Sequence, residues 1–215
     1  MEEATRAYEA ALPADEHARA FLRNRFLDRS EDSGRYFRLG VVHHPLPGHE
    51  QYAGMLAIPY LTLSGVVGMK FRCLKDHDCK AVHRDRYLNP PGNPHRLFNP
   101  TDIIERPEPY IAVCEGEMDA MTAHAAGLPA IGAPGASSFK SEWVRALRGR
   151  ETVFVLADND DGGTGLEKFA EPIAEKVPAA KIILMPEGHD ANSFVQAFGY
   201  DALLEKVGVA GDEYH

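Results

Sequence analysis

Residues 110–132 read YIAVCEGEMDAMTAHAAGLPAIG and residues 152–163 read TVFVLADNDDGG; these two stretches decide the fold. YIAVC (110–114) and TVFVLA (152–157) are short, uninterrupted apolar runs, and KIILM (181–185) is a third. Apolar runs without alternation suit strands buried on both faces, the habit of a parallel sheet covered by helices. Each run precedes a segment of helical character, at 117–126, 163–177 and 191–198. A weaker strand, PAIG (129–132), precedes a further helix at 138–148. Strand and helix alternating in this way predict a doubly wound α/β domain.

The acids of this region fall where such a sheet takes its ligands, beyond the carboxyl ends of the strands. Glu115 directly follows YIAVC. Asp158 and Asp160 directly follow TVFVLA, two apart, so extended chain points both the same way. Asp190 follows KIILM within GHDAN (188–192), and Glu117 and Asp119 open the helix after the first strand. Carboxylates sharing a crevice repel one another and take up protons unless cations neutralise them. Oxygen ligands without nearby Cys or His suit Mg²⁺ or Mn²⁺ rather than zinc. A pair of such ions stabilises both the attacking and the leaving oxygen in phosphoryl transfer. An acid at a helix start has a plainer use, as a cap or a complement to the helix dipole. Glu117 and Asp161 are read that way; Glu115, Asp158 and Asp160 are read as the site.

Bulk properties narrow the setting. The chain has 215 residues, 44% hydrophobic and 26% charged, with three cysteines and a net charge of −9. No apolar run approaches the roughly 20 residues that span a bilayer, no basic-then-apolar leader opens the chain, and the odd cysteine count suits a reducing compartment. A cytoplasmic enzyme with no membrane association is expected. The overall acidity hides a polarised chain: residues 66–98 carry seven Lys/Arg (Lys70, Arg72, Lys75, Lys80, Arg84, Arg86, Arg96) against three Asp. A basic stretch beside an acidic domain suits an enzyme gripping phosphates in one place and cations in another.

Residues 1–106 read as a mixed α+β subdomain and 107–215 as the parallel-sheet domain. Helix is expected over 14–37, with Phe21, Leu22 and Phe26 at helical spacing and a second start at Ser30. AGMLAIP (53–59) and SGVVGMKFR (64–72) form a β-hairpin bearing the basic residues, and NPPGNP (89–94) is a loop. Tyr87 and Phe98 flank basic residues, where stacking on bases competes with a core role for Phe98; Trp143 reads as packing. Cys73, His77, Cys79 and His83 form C-x3-H-x-C-x3-H, four soft ligands whose spacing fits no usual zinc knuckle. The segment is read as a basic loop with incidental cysteines.

The order EGEMDA (115–120), ADNDDGG (157–163), GHDAN (188–192) resembles the Toprim domain of primases, topoisomerases and related nucleases. FLRNRFLDRSEDSGRYFRLGVV (21–42), GVVGMKFRCL (65–74), DRYLNPPGNPHRLFN (85–99) and EGEMDAMTAHAAGLPAIGAPGASS (115–138) are similar to the DnaG-type primase core. The DAN triplet (190–192) and KFR (70–72) lean toward its bacteriophage branch. The resemblance, which spans roughly residues 18–205, implies a Toprim-like parallel sheet flanked by helices and metal-dependent synthesis of short RNA primers from NTPs on single-stranded DNA during replication. It implies an acid/base or metal-bridging role for Glu115, metal ligation by Asp158, Asp160 and Asp190, and support from Asp119 and Asn192. Lys70, Arg72 and Arg86 fall where the family holds template and nucleotide phosphates, and Arg84 and Arg96 join them as basic neighbours.

No paired-cysteine ribbon precedes residue 18 and no GxxxxGK[ST] loop follows. A stand-alone core, a fragment of a larger protein and a member whose zinc module sits on another polypeptide are all open readings, so the expected partners are a replicative helicase and a separate or missing zinc-binding module. Two readings compete: a Toprim-type metal-dependent nuclease, and a non-catalytic DNA-binding Toprim module. The K-F-R and R-Y-L-N-x-P elements, which a nuclease has no need of, favour the primase, and the complete set of acids disfavours a scaffold. A topoisomerase is not expected, because the remaining length has no room for a tyrosine-bearing cleavage domain.

Overall fold

The computed structural model describes residues 1–27, 36–82, 85–135, 139–159 and 165–209. The chain divides into two units, 1–94 and 95–215.

The first unit is built on an antiparallel sheet of order β1-β2-β3-β4: β1 Gly40–Val41, β2 Leu56–Thr62, β3 Gly65–Arg72 and β4 Tyr87–Leu88. β2 and β3 form the expected hairpin, with a register shift at Tyr60/Leu61. Alternation along β3 separates its faces: Met69 and Phe71 join Tyr8, Tyr52 and Met55 in a core, with Tyr52 stacked on Phe71 at 3.9 Å, whereas Lys70 and Arg72 share the opposite face. Helix α1, Glu2–Ala11, was not foreseen, and it buries only Ala4, Thr5 and Tyr8. It lies so close to β1 that a Cβ on Gly40 would stand 2.4 Å from the Tyr8 carbonyl carbon. Helix α2 spans Glu16–Asn24, capped by the Asp15 carboxylate, which accepts from the Ala18 N–H at 2.8 Å. It ends earlier than the apolar spacing suggests because Phe26 turns left-handed at φ 60°, and Leu27 N–H donates to the Leu22 carbonyl at 2.9 Å. Ser30, the expected second helix start, lies outside the described residues.

The second unit holds a parallel sheet of order β6-β5-β7-β8: β5 Tyr110–Cys114, β6 Ala130–Gly132, β7 Thr152–Ala157 and β8 Ala180–Leu184. Ile111, Val113, Val153 and Val155 have no exposed surface and pack with Ile131, Phe169 and Ile173. Each fully buried aliphatic side chain contributes about 1.5–3 kcal/mol, so these strands need no alternation to hold their register. The edge at β6 is closed by a bridge from Phe98, whose N–H donates to the Gly132 carbonyl at 2.8 Å. Phe98 is itself 1% exposed, so its ring packs in the core, which excludes the alternative of stacking on bases. Trp143 packs edge-on against Phe139 beside the same core.

The helices here are α3 Asp102–Glu105, α4 Glu117–Ala125, α5 Glu171–Ala174, α6 Ala191–Phe198 and α7 Tyr200–Val207. Two expected α-helices take other forms. Ser141–Leu147 is 3-10, which eclipses residues three apart and lines up Val144 and Leu147 against the core. α5 is entered through a π-helical turn at Gly165–Ala170.

Candidate active site

β6 lies on one side of β5 and β7 on the other, so the chain reverses its direction of winding between β5 and β7. In open α/β sheets this switch point opens a crevice at the strands' carboxyl ends, because the connections leave on opposite faces. Cys114 pairs with Leu156 across these two strands. The residues that follow, Glu115 after β5 and Asp158 just past β7, therefore enter the crevice from neighbouring strands.

Three further segments are stitched to this point by the backbone. Asp119, in the first turn of α4 and 7% exposed, accepts from the Asn192 N–H on α6 at 3.0 Å. Asn159 N–H donates to the His189 carbonyl at 3.0 Å, its side-chain amide donates to the Met185 carbonyl at 3.0 Å, and Gly188 N–H donates back to its carbonyl at 2.8 Å. Residue 158 is thereby held next to the loop that carries Asp190. Gly165 rests on the Asp158 peptide; a Cβ there would stand 2.4 Å from its carbonyl oxygen. Gly132 allows a similar approach, for its Cβ would meet the Gly116 carbonyl at 2.8 Å.

The electrostatics report the convergence independently. Burial pushes the Cys114 thiol well above its ordinary pKa, and the charges of Asp119 and Asp158 push it further in the same direction. Two carboxylates on different elements thus project negative potential onto one buried atom, and a divalent cation would relieve that field. Among the described residues no three oxygens of Glu115, Asp119, Asp158 and Asp190 come within 4.8 Å of one another. Mg²⁺ asks few carboxylates of a protein, keeping waters and substrate phosphates as its other ligands, so the all-oxygen donor set fits it.

Asp190 has a second occupation. It is the N-cap of α6, accepting from the Ser193 N–H at 2.6 Å in a capping box. Asn192, expected to support the site, serves as a strut. Its side chain is fully buried, donates to Thr122 Oγ1 at 2.7 Å and accepts from Gln196 at 2.8 Å, tying α6 to α4. Glu117, read above as a cap or surface acid, is only 3% exposed and belongs with the buried carboxylates of the crevice wall. Asp160 and Asp161 lie outside the described residues, as do Arg84 and His83.

On the first unit, the face of β3 opposite its core carries a cation–aromatic stack. The Arg72 guanidinium lies 4.4 Å from the Phe21 ring centre and 5.4 Å from that of Tyr87, and its Nε donates to the Tyr87 hydroxyl at 2.9 Å. Lys70 Nζ lies 5.7 Å from the Tyr87 ring centre. Arg72 is only 4% exposed, so it orients Tyr87 more than it offers charge to solvent. Arg86 is exposed in this unit, and Arg96 is exposed in the second.

Residues 112–195 match a family described as Toprim-like. The fold is similar to that of the DnaG catalytic core. The RNA polymerase domain of Mycobacterium tuberculosis primase DnaG superposes with a TM-score of 0.71 at 21% identity, over 95% of this chain and 80% of that one. A DnaG primase catalytic domain bound to single-stranded DNA superposes at 0.72 with 20% identity, over 95% and 77%. The "Gene 57 protein" of Mycobacterium phage D29 is 39% identical over 161 residues, 73% of this chain and 99% of that protein. The class these likenesses define is that of chains with a Toprim-like region, here residues 112–195, in a fold similar to a primase core. Within that class, the chain belongs to the family of the phage D29 Gene 57 protein.

Proposed function

We propose that this chain is the catalytic core of a DNA primase, a cytoplasmic nucleotidyltransferase that joins NTPs into short RNA primers on single-stranded DNA. The observation that carries the reading is the placement of Glu115 and Asp158 on adjacent parallel strands at the switch point, within a primase-core fold. The relative bound to single-stranded DNA supports the choice of template.

Glu115, Asp119, Asp158, Asp190 and, from the sequence, Asp160 are the residues that would hold Mg²⁺ or Mn²⁺. When bound, such ions neutralise the triphosphate and stabilise the attacking and leaving oxygens. Glu115 stands at the strand end, where it accepts the proton of the primer 3′-hydroxyl or bridges toward the cation beside it. Asp158 is fixed through its own peptide by Gly165 and through Asn159 by the 185–189 loop, which limits how far its carboxylate can wander. Asp119 accepts from the Asn192 N–H through one oxygen, which ties the start of α4 to α6 beside the crevice. Lys70 and Arg86 of the first unit bind template phosphates, with Tyr87 offering a ring to a base. A replicative helicase is the expected partner.

The test is primer synthesis on mixed-sequence single-stranded templates with labelled NTPs. Dinucleotides and short RNAs should form with Mg²⁺ or Mn²⁺. They should fall at least about a hundredfold in Asp158→Asn, because several kcal/mol of charge stabilisation are lost at about 1.4 kcal/mol per tenfold. Undiminished synthesis in that variant would remove the site.

A further inference from the structure

The described residues bring together one group of three soft ligands, and it lies in the first unit, whereas the carboxylates all belong to the second. Cys73 ends the chain's run along β3, its N–H donating to the Arg86 carbonyl at 2.8 Å. The loop then turns through His77, whose N–H donates to the Lys75 carbonyl at 3.1 Å, and returns Cys79 to the same spot. Cys73 Sγ lies 3.4 Å and Cys79 Sγ 3.3 Å from a single atom, His77 Nε2, and all three ligand atoms fall within 4.8 Å of one another. Both cysteines are buried and neither is in a disulfide.

An imidazole nitrogen has one proton to give or one lone pair to offer, so it makes one well-directed hydrogen bond, not two equal ones. Two sulfurs at matched distance from it are instead the arrangement of three donors facing a common centre. The distances agree with that account. Zinc–sulfur bonds of about 2.3 Å and zinc–nitrogen bonds of about 2.0–2.1 Å at a tetrahedral angle put sulfur about 3.6 Å from nitrogen. The observed separations are a few tenths shorter, within the adjustment of two side chains on one loop. Thiolate and imidazole are soft donors that select zinc over the hard cations proposed for the carboxylates.

We propose that Cys73, His77 and Cys79 form a zinc site, with the fourth position taken by water or one further ligand. The site clips the β3–β4 connection. That connection carries four of the seven basic residues of 66–98 and buries little beyond Cys73, Leu74 and Cys79, since Lys75, Asp76, Asp78, Lys80, Ala81 and Val82 are all exposed. A metal that binds only the folded loop stabilises it by mass action. The inference is independent of the reaction assigned to the carboxylates.

The experiment uses the full chain. Purified without chelator, it should hold about one equivalent of zinc by elemental analysis, and less than about a tenth of that in Cys73→Ser or Cys79→Ser. Glu115→Gln and Asp158→Asn should retain the zinc, which separates this site from the carboxylate crevice. Replacing zinc with Co²⁺ in the wild-type chain should give tetrahedral d–d bands and a thiolate charge-transfer band, both absent in Cys73→Ser. This reading does not depend on whether a variant folds. A chelator should lower the wild-type Tm and expose both thiols to alkylation. Absence of stoichiometric zinc and of the cobalt–thiolate spectrum would overturn the proposal in favour of simple core packing, and a Cys73–Cys79 disulfide found by mass spectrometry would overturn it as well.

Discussion

Cys114 senses the acids on either side of it. Its thiol is fully buried, and burial, then Asp119, then Asp158, all raise its pKa in the folded chain. In the unfolded chain it ionises near pH 8.5, as free cysteine does. The sign follows: the contribution of this group is intact below about pH 8.5 and is lost as pH rises toward the folded value, at up to about 1.4 kcal/mol per pH unit. Denaturation at pH 8 and pH 10 should therefore show wild type losing more stability than Cys114→Ala, and equal losses would contradict the assigned burial. Asp158→Asn removes one of the two charges acting on the thiol. It should make the metal-free protein slightly more stable while abolishing nucleotidyl transfer, a combination that a purely structural aspartate would not give. At this scale Glu115 and Asp158 were legible because each directly follows an apolar run. The burial of Glu117 was not, because it depends on how α4 is packed, and α6 comes some 70 residues later. Asn192 was legible as important but not in its role: a polar residue in a motif looks the same whether it faces a ligand or ties two helices.

Elements hold these residues in place through contacts that a sequence pattern reveals unevenly. The continuous runs of β5, β7 and β8 appeared within a residue of their observed bounds; burial on both faces accounts for β5 and β7, whereas β8 is an edge strand with Lys181 and Leu184 exposed, so its apolar run does not mean full burial. α1 was missed because its packing rests on a glycine in another element: Gly40 admits the Tyr8 backbone, and no periodicity within EEATRAYEAA announces that. The π-helical entry to α5 has a similar origin in Gly165. Gly165→Ala should push the turn off the Asp158 peptide and lower metal-dependent activity about tenfold to a hundredfold, the range for residues that orient ligands. Unchanged metal affinity by calorimetry in a folded Gly165→Ala would show that the turn does not position Asp158. For α2, the Asp15 cap gives a pH-dependent test. Burial alone would raise this carboxyl, but the Ala18 N–H and the His43 ring outweigh it and hold its pKa below the ordinary value. Its stabilisation is therefore present above about pH 4 and lost as pH falls through the folded value. Asp15→Ala should cost about 1 kcal/mol at pH 7, with the difference from wild type shrinking on acidification.

Across the whole molecule charge is divided as the proposed work is. Residues 1–94 carry thirteen Lys/Arg against twelve Asp/Glu, and residues 95–215 carry ten against twenty. Single-stranded DNA should bind through the first unit despite the overall acidity. Its log affinity should fall linearly with log salt, at about −0.7 per phosphate contact. Arg86→Ala should flatten that slope, because its side chain is exposed. Arg72→Ala should act mainly through lost stability, because its guanidinium is buried between Phe21 and Tyr87. The central claim is that the crevice at the β5–β7 switch point joins nucleotides and does not cut strands. The most direct measurement incubates the wild-type chain and Glu115→Gln with end-labelled single-stranded DNA and Mn²⁺, with and without NTPs. The account predicts new RNA only when NTPs are present, an intact labelled strand throughout, and no RNA from Glu115→Gln. Shortening of the strand without NTPs that vanishes in Glu115→Gln, with no primers formed when NTPs are added, would contradict it and make the chain a nuclease.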